Sequence, residues 1–298
     1  MFEPLPLVVE PPGDIERVSA AAAHAASVWN VPPPVLIRLA ANGVFACGDI
    51  VIRVSKPTGP MRVSLMFAER LNAFGIRVPR PVQAEPIVCA DGLVATAWER
   101  IDHNPQLPVD WERVGAIVAA VHTIDPSTVA HPLPFCGHFP WWNFEAMMSE
   151  ADEVDNDVRA ALEGAYRANR WWYDAARSKR LVLCHGDVHP GNVLVDAHGP
   201  VLIDWDLLCV APLSWDHAPL MTWTRRWGGE PGVYEAFSAG YGQRADDDLG
   251  QAIAEMRLLA ATLMRLQRAR VDPAHRDEAM RRLSYWRGDP NAPMWHAQ

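Results

Sequence analysis

Apolar and polar positions divide the chain into two textures. Residues 14–30 are Ala-rich and predict a helix, which Pro32-Pro33-Pro34 stops. Short apolar runs follow at 35–39, 44–46 and 50–54, separated by the turn pairs Asn42-Gly43 and Gly48-Asp49. Runs of that length, punctuated that way, predict strands. An amphipathic stretch at 61–74 predicts a helix ending at Gly75. Two further strands fit 86–89 and 93–98, with Asp91-Gly92 as their turn. After about residue 102 helical periodicity takes over, at 111–122, 143–151, 158–176, 215–227, 246–270 and 275–286. One β island, 181–206, interrupts it. The expectation is an α+β chain. A small β-rich lobe (1–101), with a leading helix and an antiparallel sheet, precedes a larger helical lobe (102–298), with the seam near 99–107.

Composition narrows the function classes. A length of 298 residues allows one large domain or two modest ones. Apolar residues make up 49% and charged residues 21%, which excludes global disorder. No apolar run reaches the roughly 18 residues a membrane span needs, and the start lacks the basic and apolar regions of a secretory signal. The five cysteines show no CxxC spacing, against a disulfide framework or zinc site and in keeping with a reducing cytoplasm. A net charge of −9 argues against a nucleic-acid partner. Acidic residues gather at Glu150, Asp152, Glu153, Asp155 and Asp157, and again at Asp246, Asp247 and Asp248. They read as helix starts or as a wall attracting a cationic ligand. Arg257, Arg265, Arg268, Arg270, Arg276, Arg281, Arg282 and Arg287 read as an exposed basic helix face.

The β island carries the chemistry. An apolar strand at 181–184 leads into His185-Gly186-Asp187-Val188-His189-Pro190-Gly191-Asn192, and a hairpin then runs to Ile203-Asp204-Trp205-Asp206. Asp187 and Asn192 flank a Pro-Gly bend, and Asp204 ends the second hairpin strand near the start of the first. Two carboxylates and an amide oxygen about one point suit a hard divalent cation such as Mg²⁺. Phosphoryl transfer uses this inventory: one carboxylate orients the attacking hydroxyl, and an Asn and a second Asp hold the metal on the nucleotide. The same histidines also spell an HxxxH pair, and with Asp204 they would suit a metal-dependent hydrolase. That pair needs a helix, which Pro190-Gly191 denies.

HGDVHPGN followed by LIDWD resembles the catalytic and metal loops of the aminoglycoside phosphotransferase and choline kinase group, within the protein-kinase-like fold. The resemblance implies a two-lobed small-molecule kinase that moves the γ-phosphoryl of ATP or GTP, with Mg²⁺, to a small-molecule hydroxyl. By it, Asp187 is the catalytic base, Asn192 a metal ligand and Asp204 the principal metal ligand. His185 would be a structural residue of the loop, and Asp216 a buried carboxylate bonding to it. Such folds place a third-strand cation on the phosphates. Strand parity puts Val51 and Arg53 on one face, so Arg53 is the expected phosphate contact and Val51 covers the base. Trp98, Glu99 and Arg100 would form the hinge whose backbone meets the purine. The chain departs from the protein-kinase pattern in lacking a GxGxxG loop. The helix after the third strand also offers only Glu69 as a partner for Arg53, although the expected position is nearer Ser64.

Thirteen tryptophans admit two readings, core packing or an aromatic wall for a cationic or amino-bearing acceptor. Trp223 and Trp227, one helical turn apart, share a face. A non-catalytic nucleotide-binding protein of the same fold is the alternative from another class.

Overall fold

The computed structural model describes residues 5–8, 10–129, 131–151 and 154–296; of the mid-chain acidic cluster, Asp152 and Glu153 lie outside the described residues. The chain sorts into two compact units. The first comprises Met1–Asp110, Ser127–Pro132 and Asn192–Leu207, and the second Trp111–Pro126, Leu133–Gly191 and Leu208–Gln298.

The first unit is built on a five-stranded antiparallel sheet in the order β1-β2-β3-β5-β4. The strands are β1 (Val35–Leu39), β2 (Gly43–Cys47), β3 (Ile50–Ser55), β4 (Ile87–Val88) and β5 (Val94–Glu99), and the unit's helices are α1 (Ile15–Val28) and α2 (Arg62–Ala73). Asp14 caps α1, accepting from the Arg17 N–H at 2.9 Å. The helix turns Val18, Ala21, Ala22 and Ala25 onto Phe45, Ile52, Val54 and Ala95, a fully buried cluster. Alanines bring helix and sheet close enough that Gly43 has no room for a side chain: a Cβ there would lie 2.3 Å from Val18 Cγ1. Because Ile52 and Val54 face α1, Arg53 faces the opposite side of β3.

The first unit also holds the hairpin of the β island, β7 (Val193–Asp196) and β8 (Gly199–Leu202), as defined by the strand pairing. Asp196 binds Arg77 as an ion pair, and the Asn104 N–H donates to Val195 O at 2.8 Å. The 205–207 turn packs against α2.

The second unit contains α3 (Trp111–Val121), α4 (Phe144–Ser149), α5 (Asn156–Asn169), α6 (Trp172–Arg177) and β6 (Val182–Cys184). It continues through β9 (Cys209–Ala211), α7 (Ser214–Trp227), α8 (Val233–Tyr241), α9 (Asp248–Val271) and α10 (Arg276–Trp286). α9 is the central helix, with α5, α7 and α10 against it. The helix expected over 158–176 is two helices, broken at Arg170–Trp171. Two elements were not expected, α8 and β9. β9 pairs antiparallel with β6, setting Cys184 opposite Cys209, and all five cysteines are free thiols.

Most of the tryptophans pack. Trp172 and Trp215 are buried and form a three-ring cluster with Trp142. Burial of each such ring stabilises the unit by roughly 1.5–3 kcal/mol. Among the described residues no helix is long and apolar enough to cross a membrane.

Candidate active site

The loop after β6 is held first by its backbone. Asp216, fully buried near the start of α7, accepts from the His185 N–H and the Gly186 N–H, each at 2.8 Å. His122, just past α3, reaches the same carboxylate at 3.1 Å through Nε2 and meets the Tyr241 hydroxyl at 2.8 Å through Nδ1. Burial opposes ionisation of Asp216, but the His122 hydrogen bond and charge outweigh it and hold the carboxyl below its usual value. His122, Cys184 and Asp216 offer ligand atoms within 4.8 Å of one another. Both Asp216 oxygens are already engaged by the loop and His122, so the cluster works as a hydrogen-bonded anchor.

The loop's side chains are fixed next. Asp187 Oδ1 accepts from Arg257 Nη2 at 2.7 Å, and its Oδ2 lies 3.4 Å from His189 Nε2. Burial works against the charge, yet His189 and Arg257 outweigh it and push the Asp187 carboxyl well below its ordinary range. His185 Nδ1 accepts from the Asp187 N–H at 3.2 Å, and His189 Nδ1 from the Gly191 N–H at 3.1 Å. Each histidine thus uses one ring nitrogen on the loop itself. Gly191 leaves room for this ring: a Cβ there would sit 2.8 Å from the His189 ring, which would have to shift. The His189 ring stacks on Trp223 (centroids 6.2 Å), and Trp223 on Trp227 (6.1 Å). The shared face expected of these two tryptophans is therefore real, and it continues onto the neighbour of Asp187.

In the first unit, the end of the hairpin carries Asn192 and Asp204. The Ile203 N–H donates to Asn192 O at 3.0 Å, which sets these positions beside each other, one step past the Val193–Leu202 pair. Asn192 is buried. Asp204 has φ +65°, a left-handed conformation costing a non-glycine residue about 1–3 kcal/mol. The fold therefore holds this carboxylate in a conformation that its local sequence disfavours.

Arg53 reaches toward the same end. It binds the Asp206 carboxylate through both terminal nitrogens and lies 3.4 Å from Asp204 Oδ1. The Asn42 side-chain amide, with its oxygen toward Arg53, accepts from Nε at 3.2 Å and Nη2 at 2.8 Å. Burial disfavours the guanidinium charge, but Asp206 and Asp204 more than compensate and hold Arg53 protonated. Asp206 is pushed up by burial, Asp204 adds to that push, and Arg53 opposes it. Ser64 stands where the resemblance would put a glutamate, and it donates to Asp206 Oδ1 at 3.4 Å; Glu69 is exposed. The counter-charge for Arg53 thus comes from Asp206, beyond the hairpin, with Ser64 steadying it.

At the expected hinge, Val51 pairs with Trp98 across β3 and β5. Trp98 is half-buried, its indole N–H donating to Thr96 Oγ1 at 2.8 Å. The Glu99 N–H donates to Arg80 O at 2.8 Å and the Arg100 N–H to Asp49 O at 3.1 Å, so these two donors of the expected hinge are already engaged within the protein.

One group of expectations is corrected. Arg257, Arg265 and Arg282 are not on an exposed face: Arg265 and Arg282 are buried, and the Arg257 side chain is 16% exposed. Arg257 was the residue to find. It and Glu255 are the only charges in the window 252–263, otherwise the most apolar part of α9, and a charge in so apolar a stretch signals a partner within the fold.

A profile of the phosphotransferase enzyme family matches residues 53–259. The chain belongs to that family. It is a phosphotransferase of protein-kinase-like α+β fold. The spectinomycin phosphotransferase APH(9)-Ia, solved with ADP and spectinomycin, superposes with a TM-score of 0.67 at 18% identity, over 89% of this chain and 93% of that one. The GDP and kanamycin complex of APH(2″)-IIIa gives 0.66 at 17% identity, over 91% and 99%. A choline/ethanolamine kinase family protein from Mesorhizobium loti gives 0.65 at 19%, over 93% and 96%. No curated protein matches the sequence. Within this phosphotransferase family, identities this low establish the shared fold and leave the acceptor open.

Proposed function

We propose that this phosphotransferase moves the γ-phosphoryl group of ATP or GTP, with Mg²⁺, to a hydroxyl of a small molecule: an antibiotic such as an aminoglycoside, or an amino-alcohol or sugar metabolite. The observation that carries the reading is the state of Asp187, an ionised carboxylate at the tip of a backbone-anchored loop, with Arg257 and His189 on its two oxygens. A fixed anionic oxygen orients an attacking hydroxyl and receives its proton as the O–P bond forms.

The donor set fits a hard cation. Asp204 offers a carboxylate and Asn192 an amide oxygen at one end of a hairpin, and the single Arg53 guanidinium there faces two carboxylates, Asp204 and Asp206. Asp204 and Asn192 would hold Mg²⁺, which neutralises phosphate charge when bound. Arg53 steadies the phosphates, since its fork suits phosphate oxygens as it suits the carboxylate it now holds. Val51 covers the base, and the backbone of Trp98, Glu99 and Arg100 borders it. The net charge of −9 and the stacked Trp223–Trp227 pair support a cationic or amino-bearing acceptor, as do the spectinomycin and kanamycin bound by the structural neighbours. A cytoplasmic setting, where the nucleotide is abundant, belongs to this reading.

The test has two stages. Thermal shift with ATP and with GTP, each with and without Mg²⁺, should show Mg²⁺-dependent stabilisation that Asp204→Ala removes. A panel of aminoglycosides, macrolides, peptide antibiotics, choline-like alcohols and sugars, read as ADP or GDP release, should then reveal the acceptor. Mg²⁺-nucleotide binding with no turnover on any acceptor, and none to water, would reject phosphoryl transfer.

A further inference from the structure

We infer that Arg257, from the middle of α9, is a positioning residue for Asp187: its guanidinium fork sets the carboxylate that orients the acceptor hydroxyl. The inference rests on the functional reading above and adds to it a residue 70 positions away in sequence.

The fork makes two bonds of different kinds. Nη2 donates to Asp187 Oδ1 at 2.7 Å, and Nη1 donates to Gly186 O at 3.0 Å. One planar group thus ties a side chain to the backbone just before it, which fixes the Asp187 side-chain torsion relative to the loop. A lysine, with a single nitrogen, holds one acceptor or the other but does not reproduce the planar fork. The fork is itself held: its carbon lies 5.1 Å from the ring centroid of Trp215, a ring 1% exposed. Trp215 immediately precedes Asp216, which takes the N–H groups of His185 and Gly186. The loop is therefore gripped from two sides. Adjacent residues of α7 fix its amides and seat the arginine, and α9 fixes its carbonyl and carboxylate.

The geometry also assigns different duties to the two Asp187 oxygens. Oδ1 carries the short Arg257 bond, from a side chain 16% exposed, whereas Oδ2 has the longer 3.4 Å approach of a more exposed His189. The acceptor hydroxyl accordingly engages Oδ2, displacing the histidine, while Arg257 retains Oδ1.

The experiment separates this role from the functional reading. Asp187 is followed by carboxyl ¹³C NMR in aspartate-labelled protein, assigned with Asp187→Asn, and turnover is followed as ADP or GDP release with water or the screened hydroxyl panel. The charged and titratable groups facing Asp187 are Arg257, His189 and His185. In Arg257→Ala the Asp187 titration should move up, nucleotide affinity should stay within about 2-fold, and kcat should fall by about 10- to 100-fold, the scale of a misplaced reacting group. Arg257→Lys, which keeps charge in the same space and guards against a misfolded alanine variant, should recover the titration shift but less than about a tenth of the lost rate. An unmoved Asp187 titration in Arg257→Ala, or full rate in Arg257→Lys, overturns the role assigned to Arg257. An Asp187→Asn protein with undiminished turnover overturns the catalytic reading itself, and the inference with it.

Discussion

Each unit carries an arginine-carboxylate cluster among its candidate site residues, and the two have opposite charge balance. In the first unit one guanidinium, Arg53, serves two carboxylates, Asp204 and Asp206. In the second unit one carboxylate, Asp187, is served by Arg257 and approached by His189. Burial raises the Asp206 carboxyl, with Asp204 adding to the push and Arg53 opposing it, whereas at Asp187 the neighbouring His189 and Arg257 outweigh burial and lower the carboxyl. A surplus of acid makes a place for an incoming cation. A surplus of cationic neighbours favours the ionised carboxylate. One chain thus builds two clusters of opposite charge balance from the same two residue types, and under the proposed function the first is the cation site and the second the group that orients the acceptor hydroxyl.

The largest effect should come from emptying the second cluster. Asp187→Ala should lower kcat by about 10²–10⁴-fold, the usual worth of a positioned acid–base group, while nucleotide affinity measured by titration stays near wild type. Breaking the first cluster should do the reverse. Arg53→Ala should raise the nucleotide KM by about 10-fold, roughly the loss of one charge-assisted hydrogen bond, with a smaller change in kcat. It should also destabilise the protein in a pH-dependent way. A carboxyl whose pKa is raised on folding favours the folded state while protonated and loses that advantage as pH rises through the folded value. Without Arg53 to oppose the rise at Asp206, the melting temperature should fall furthest below wild type near neutral pH. The gap should narrow as pH drops toward the ordinary carboxylate range. A gap that widens on acidification would show that Asp206 does not sense Arg53.

Asp216→Ala tests whether the second cluster depends on its anchor. Two buried N–H groups and His122 lose their partner, which should cost about 3 kcal/mol in urea unfolding. Turnover should fall with it, because the Asp187 loop loosens. The smallest effect should be at His217, one residue on, whose ring is boxed by Tyr234, Phe237 and Tyr241. Burial lowers its pKa to about 4 from 6.5. A histidine held neutral by the fold stabilises above its unfolded value, and that contribution drains away as pH falls from 6.5 toward about 4. His217→Phe should flatten the stability profile over that window; an unchanged slope would locate the acid sensitivity elsewhere.

Much of the candidate site could be proposed from the sequence because its signals are local. HGDVHPGN and LIDWD specify a turn and a strand end by spacing alone, and the alternation of β3 was enough to put Arg53 opposite the core-facing Ile52 and Val54. Long-range partners were not legible. Arg257 was read as one more arginine in a basic C-terminal region, and Asp206 had no assigned duty: an apolar window marks Arg257 as a charge with a partner within the fold, but nothing in either segment alone says which residue that partner is. α8 escaped for a related reason. Gly115 and Gly240 let α3 and α8 approach so closely that a Cβ at either would strike a carbonyl oxygen, at 2.0 Å from Phe237 O and 1.7 Å from Glu112 O. The glycine that makes the packing is the one that dilutes the helical pattern.

By itself, then, the sequence determined the order of most elements, the face of β3 that carries Arg53 and the residue types of the candidate site, since these follow from periodicity and from turns a few residues long. Tertiary structure alone decided which charge meets which. It gave Arg53 to Asp206 rather than to a helix glutamate, brought α9 to Asp187, and held Asp204 in a left-handed conformation. The strength of a charge pair depends on distance and burial, and neither exists until the chain has folded.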